Sequence, residues 1–155
     1  MKLRHVLYIF ALSMVPIIEL RGAIPLGAGL DLPWWLTFLV CTVGNMVPVP
    51  FILLFIRAIL KWMKRVKHLD RIALWVEGKA HKHAHKVTRY ATWGLVLFVG
   101  VPLPGTGAWT GALIAAMLDM RMKYALPSIL LGVLIAGFLV TGISYGFLSA
   151  LDFML

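Results

Sequence analysis

A chain of 155 residues that is 61 % apolar and only 14 % charged lies well above the ~45–50 % apolar content of a soluble domain, which argues against a water-soluble fold and makes lipid the solvent for most of it. The net charge of +9 does not point to nucleic acid: ten of the fifteen Lys and Arg fall between Arg57 and Arg89, beside membrane-length segments, as the positive-inside bias produces, and no recognition motif accompanies them. The length fits one domain, and the single cysteine, Cys41, sits in an apolar run where it packs as a small hydrophobe.

In chain order, Lys2 and Arg4 precede the apolar run Val6–Ile18, which begins like a signal peptide. No small-residue cleavage site follows, so the segment reads as retained. Residues 6–30 are apolar but broken by Pro16, Glu19, Arg21, Gly22 and Pro25. Residues 33–60 form a long apolar run interrupted by Gly44, Asn45, Pro48 and Pro50. Residues 61–92 are basic and hold four of the five histidines. Residues 93–118 are apolar and broken at Pro102, Pro104, Gly105 and Gly107, and 125–151 are nearly uninterrupted. A hydrocarbon core of ~30 Å takes ~20 helical residues, so 33–60 and 125–151 are predicted to span, the first with a kink near Pro48.

The two broken stretches cannot be regular helix throughout. Proline lacks the backbone donor and clashes with the preceding turn. Pro102-Leu103-Pro104 followed by Gly-Thr-Gly should open the backbone fully. Lipid does not tolerate open backbone, so each break must face protein or a watery cavity.

The halves echo each other. Val15-Pro16 matches Val101-Pro102, Gly22-Ala23-Ile24 matches Gly111-Ala112-Leu113, Leu30-Asp31 matches Leu118-Asp119, and Gly44 matches Gly132, at offsets of 86 to 89 residues. Paired broken segments at corresponding positions point to a transporter-like repeat. The expected architecture is an all-α integral membrane domain of two pseudo-repeated halves, about 1–60 and 93–155. Each half is a Pro/Gly-broken, re-entrant hairpin followed by a transmembrane helix. The halves are joined over 61–92 by a basic amphipathic helix with Trp62, Val66, Leu69, Ala73 and Val76 on its apolar side. If the hairpins are re-entrant, the halves are inverted and 57–89 lies inside. If they span, the protein crosses four times with both termini inside. Proline density favours hairpins.

Ionisable groups at membrane depth mark ion or substrate paths, which singles out Glu19 and Arg21. At i and i+2 they do not face each other on a regular helix, although opened backbone brings them within reach. The alternative is structural, with Arg21 bonding loose carbonyls at a hairpin tip. The breaks create helix N-termini suited to an anion. Thr106 is the expected cap of a helix starting near Ala108, and Arg21 offers a planar donor fork. Glu19 is the proton-exchanging candidate. The substrate- and proton-binding set is therefore Glu19, Arg21, Pro25, Pro102, Pro104, Gly105, Thr106, Gly107, Thr110 and Asn45. Trp109 stacks on a ligand or anchors at an interface, Trp34 and Trp35 mark an interface, and Asn45 bonds across helices. His81 and His85 share a helical face, but lysines interleave them and no carboxylate or cysteine joins them, so no metal is expected. No nucleophile–base pair appears, so no enzyme and no cofactor is expected.

At these residues the chain resembles a known family. Glu19-Leu20-Arg21-Gly22-Ala23-Ile24-Pro25-Leu26-Gly27 and Pro102-Leu103-Pro104-Gly105-Thr106-Gly107-Ala108-Trp109-Thr110-Gly111-Ala112 look like the two signature segments of the small multi-drug export proteins. That family is distantly similar to the DedA superfamily, whose members have two re-entrant hairpins and are implicated in moving phospholipids or the undecaprenyl phosphate carrier. DedA-type proteins place arginines in the second hairpin, whereas Val96 to Leu118 here carries no charge. The resemblance implies a small multi-pass transporter of a bacterial or archaeal plasma membrane. It would move a lipid-phosphate or drug-like substrate, with membrane lipids as partners. A chain this small seldom encloses a full path alone, so a homodimer is expected, and no nucleic-acid partner is. A non-transporting scaffold, packed through glycines such as Gly142 and Gly146, is the alternative.

Overall fold

A computed structural model describes residues 2–64, 84–103 and 105–154. Seven helices form it, and no strand occurs among the described residues: α1 (Lys2–Met14), α2 (Glu19–Gly29), α3 (Trp34–Met46), α4 (Pro48–Lys64), α5 (Ala84–Gly100), α6 (Ala108–Met117) and α7 (Met122–Met154). The basic stretch is divided. Residues 61–64 extend α4 and 84–92 open α5, while Val66, Leu69, Ala73, Val76, His81, His83 and Pro104 lie outside the described residues.

Among the described residues two segments are long and apolar enough to cross a membrane, Trp34–Ile59 across α3 and α4, and Met122–Phe147 in α7; of an apolar 18-residue stretch in each, only 39 % and 44 % is buried. Their outer faces and that of α5 carry Phe51, Phe55, Leu97, Phe138, Ile143 and Phe147, each about two-thirds exposed or more. A soluble core helix would bury such residues, whereas lipid takes them. Helices α1, α2 and α6 have 13, 11 and 10 residues, or ~15–20 Å at 1.5 Å per residue, well short of the ~30 Å hydrocarbon core.

The proline positions explain where helices stop. The long first span is interrupted at Val47, whose N–H still donates to Val43 O at 3.1 Å. Pro48 and Pro50 then fall in the first turn of α4, where their missing donors leave no intrahelical bond unmade within α4. In the first half the break is narrower than the sequence implied. It covers Val15–Ile18, and α2 runs unbroken from Glu19 through Gly22 and Pro25. Pro25 costs that helix one hydrogen bond without opening it.

Two glycines mark close helix crossings. Gly44 of α3 is where α1 crosses: a Cβ there would collide with Ser13 Oγ and come within 2.8 Å of Phe10 O. Gly132 of α7 is where α5 crosses, and a Cβ would lie 2.7 Å from Val99 Cβ and 2.9 Å from Val96 O. Helices α5 and α7 advance together, since Gly100 lies against Ile135. Helices α3 and α7 run antiparallel. Gly137 faces Phe38, and the Tyr145 hydroxyl reaches Leu32 O (2.8 Å) and Thr37 Oγ1 (2.9 Å). We expect Gly132→Ala to cost about 1–3 kcal/mol by overpacking, measurable as a lower unfolding temperature in detergent, because backbone carbonyl and a β-branched side chain cannot yield.

Helices α2 and α6 end alike. Leu30 and Leu118 are followed by Asp31 and Asp119 at φ of 54° and 50°. Asp31 N–H donates to Ala28 O and Leu32 N–H to Gly27 O; Asp119 N–H donates to Ala116 O and Met120 N–H to Ala115 O. Both are Schellman caps, and in each the following apolar residue, Leu32 or Met120, is buried.

Candidate functional site

The two breaks meet. Break one, Val15–Ile18, joins α1 to α2 and contains one hydrogen-bonded turn, Glu19 N–H to Val15 O at 2.9 Å. Break two, 101–107, joins α5 to α6. Between them lies a cavity of about 390 Å³ lined by residues of both, including Pro16, Glu19, Arg21, Pro102, Thr106 and Thr110.

Glu19 and Arg21 reach across this junction to opposite ends of the second break. Arg21 Nη1 donates to the Leu103 carbonyl, and Nη2 donates to Val99 O (3.2 Å) and Val101 O (3.1 Å). Val99 O belongs to the last turn of α5, and Val101 O and Leu103 O to the break directly after it, so the guanidinium sits at the C-terminal end of a helix, where a cation is favoured. The Glu19 carboxylate accepts the Trp109 backbone N–H at 3.3 Å in the first turn of α6, where an anion is favoured. It also lies against Gly107, where a Cβ would collide with it. Thus one residue pair from the first half caps both open ends of the second. Trp109 returns the contact, its indole Nε1 donating to Met14 O, at the end of α1, at 3.0 Å.

Glu19 is 5 % exposed and holds a φ of 50°. A non-glycine residue in the left-handed region costs about 1–3 kcal/mol and survives where its surroundings over-determine it. Here that conformation opens α2 at the residue whose carboxylate reaches α6.

Several expected roles change. Thr106 does not cap α6; Gly107 is the N-cap residue and supplies no side chain. The Thr106 hydroxyl instead donates to the pair Val101 O and Leu103 O, at 2.8 and 2.9 Å, sealing its own loop, because extended backbone at Gly107 turns Thr106 away from the helix. Glu19 and Arg21 line the same cavity but form no hydrogen bond with each other; each is bonded to backbone on the far side of the junction. Trp109 ties the two breaks through its indole and backbone N–H groups. Gly105, at φ 82°, forms the turn of the loop and lines the cavity. Pro25 is exposed and lies in a separate apolar groove with Ala28, Gly29 and Phe147. Asn45 is buried in α3 and is not among the cavity-lining residues. Pro104 lies outside the described residues. Sequence reasoning missed the tying role of Trp109 and the receiving carbonyls of Val99 and Leu103. The first was discoverable as the residue opening a helix after a break, whereas a carbonyl acceptor leaves no mark on residue type.

Among the described residues no cluster of three or more His, Cys, Asp and Glu could hold a metal. No curated protein and no solved structure matches the chain. A family model described as "Putative small multi-drug export protein" matches residues 19–139, from Glu19, just after the first break, through the second break and most of the second span. With the two apolar spans, this places the protein in the membrane and points to transport rather than catalysis. The chain belongs to the small multi-drug export protein family.

Proposed function

We propose that this chain is a multi-pass secondary transporter in which a small amphiphilic or anionic substrate occupies the cavity between two re-entrant hairpins, coupled to proton exchange at Glu19. The carrying observation is the junction itself. Two helix breaks from different halves share one cavity, and a carboxylate and a guanidinium that line it bridge the two breaks. Glycine crossings at Gly44 and Gly132 and the paired Asp31 and Asp119 caps support an inverted repeat. The shortness of α1, α2 and α6 supports hairpins that turn back within the bilayer, as in the DedA superfamily. Charge places the α4 end, with Arg57 and Lys61, on the cytoplasmic side.

Because Arg21 and the α6 N-terminus already have partners within the chain, substrate binding has to compete with them. Protonating Glu19 removes its charge from the α6 terminus and loosens the contact, so proton uptake and opening of the cavity are one event. In proteoliposomes with an imposed pH gradient, wild type should move ethidium or a fluorescent short-chain phosphatidic acid with accompanying protons. Glu19→Gln should reduce that flux by at least about tenfold, equivalent to ~1.4 kcal/mol of barrier. Gradient-independent leakage of both probes, equal in the two proteins, would refute the reading.

A second reading is a scaffold. Cβ atoms at Gly142 and Gly146 would meet nothing within 4 Å, leaving a small-residue face on α7 open to another helix. A homodimer packed there is compatible with transport, whereas a stoichiometric complex with a different protein after gentle extraction would favour the scaffold.

A further inference from the structure

The joint between α3 and α4 holds buried oxygens that neither the cavity nor helix packing employs. Thr42 and Asn45, three residues apart, share a face of α3 and are 7 % and 1 % exposed. Thr42 Oγ1 and Asn45 Oδ1 are both buried with no hydrogen-bond partner. Buried polar groups are nearly always paired, and each exception calls for an explanation.

The backbone adds to the imbalance. Val47 N–H makes the last bond of α3, to Val43 O. The residue that would serve the Gly44 carbonyl is Pro48, which has no N–H, and Pro50 withholds the donor from Met46 in the same way. These carbonyls form the C-terminal end of α3, which carries partial negative charge. Residues 34–56 contain no Asp, Glu, Lys, Arg or His; the one charged side chain of the span, Arg57, lies nine residues beyond Pro48 in α4.

We propose that Thr42 Oγ1, Asn45 Oδ1 and the Gly44 carbonyl form a binding site for a monovalent cation, sodium, at the α3–α4 joint. Neutral oxygens without a carboxylate suit a singly charged hard ion better than calcium or magnesium, which draw on carboxylates. Unwound carbonyls and the C-terminal end of a half-helix are the means by which interrupted transporter helices hold such ions. None of the three residues lines the cavity, and the site does not depend on the proton role of Glu19. Sodium would brace a span that Pro48 otherwise leaves hinged.

The test is thermal unfolding of the purified, detergent-solubilised protein in sodium, potassium and choline chloride at equal ionic strength. A ligand that binds only the folded state raises stability as its concentration passes its Kd. We expect a sodium-specific, saturating rise in unfolding temperature, lost in Asn45→Leu and shifted to at least about tenfold higher sodium in Thr42→Val. Identical unfolding in the three salts overturns the proposal and leaves buried water as the partner of these oxygens. A sodium-specific rise that survives Asn45→Leu also overturns it. Should Asn45→Leu fail to fold, Thr42→Val, which keeps volume and loses the oxygen, decides between the same two outcomes.

Discussion

Replacing Gly107 with alanine should disable the protein while leaving it folded. Gly107 has extended backbone at φ 165°, so any residue adopts its conformation and the effect is purely one of space. The new methyl would occupy the position of the Glu19 carboxylate, coming 2.6 Å from Glu19 Cδ. A carboxylate at the end of a flexible side chain moves aside, and in doing so leaves the Trp109 N–H. The cost is that of a lost helix cap, about 1–2 kcal/mol, which lowers the unfolding temperature without abolishing the fold. Function should suffer as much as in Glu19→Gln, because both changes take the carboxylate's charge away from the α6 N-terminus, one by displacing it and the other by neutralising it. The double variant Gly107→Ala with Glu19→Gln should then be scarcely worse than either alone, the non-additivity of groups in one contact. Full additivity in proton-linked flux would disprove the shared origin. Gly105→Ala is the contrast: its Cβ meets nothing within 4 Å, so only left-handed backbone strain, about 1 kcal/mol, should register.

The second large effect is expected at Arg21. Lysine keeps the charge at this position but not the geometry. One guanidinium serves the carbonyls of Val99, Val101 and Leu103, which diverge around the opened end of α5. A single ammonium is a point donor on a flexible stem and cannot spread across the three. Arg21→Lys should therefore cost about 2–3 kcal/mol, the worth of charge-assisted bonds at a partly exposed site. Arg21→Ala should cost more, since it removes the charge as well and takes the only side-chain donor from Val99 O, while Val101 O and Leu103 O keep the Thr106 hydroxyl and backbone N–H groups. Limited proteolysis reads the same loss locally, with faster cleavage in 101–107 than elsewhere. Equal stability of the Lys variant and wild type would show that charge alone suffices.

The sequence disclosed where backbone opens but not what closes it. Pro102, Gly105 and Gly107 announced the second break because residues with no donor or no Cβ act locally, through their own φ and ψ. The first break was legible only coarsely. Gly22 and Pro25 look equally disruptive by residue type, yet neighbouring helices hold α2 intact around them, and tertiary packing of that kind has no local signature. The pairing of Glu19 with α6 and of Arg21 with α5 was hidden for a related reason: both partners are backbone atoms some eighty or more residues away. Charge composition announced that something polar was needed at depth, and the choice between mutual pairing and capping depended on which backbone ends lay nearest.

Asp31 and Asp119 are exposed, each held by backbone bonds at the outer end of a short helix. A carboxylate so fixed resists being drawn into hydrocarbon, and sits where water or lipid headgroups can reach it. In the inverted arrangement proposed above, the pair would act as a depth gauge, one mark per membrane face: neither short helix could slide inward without submerging a charge, so bilayer thickness would help decide how far apart the two breaks come to rest.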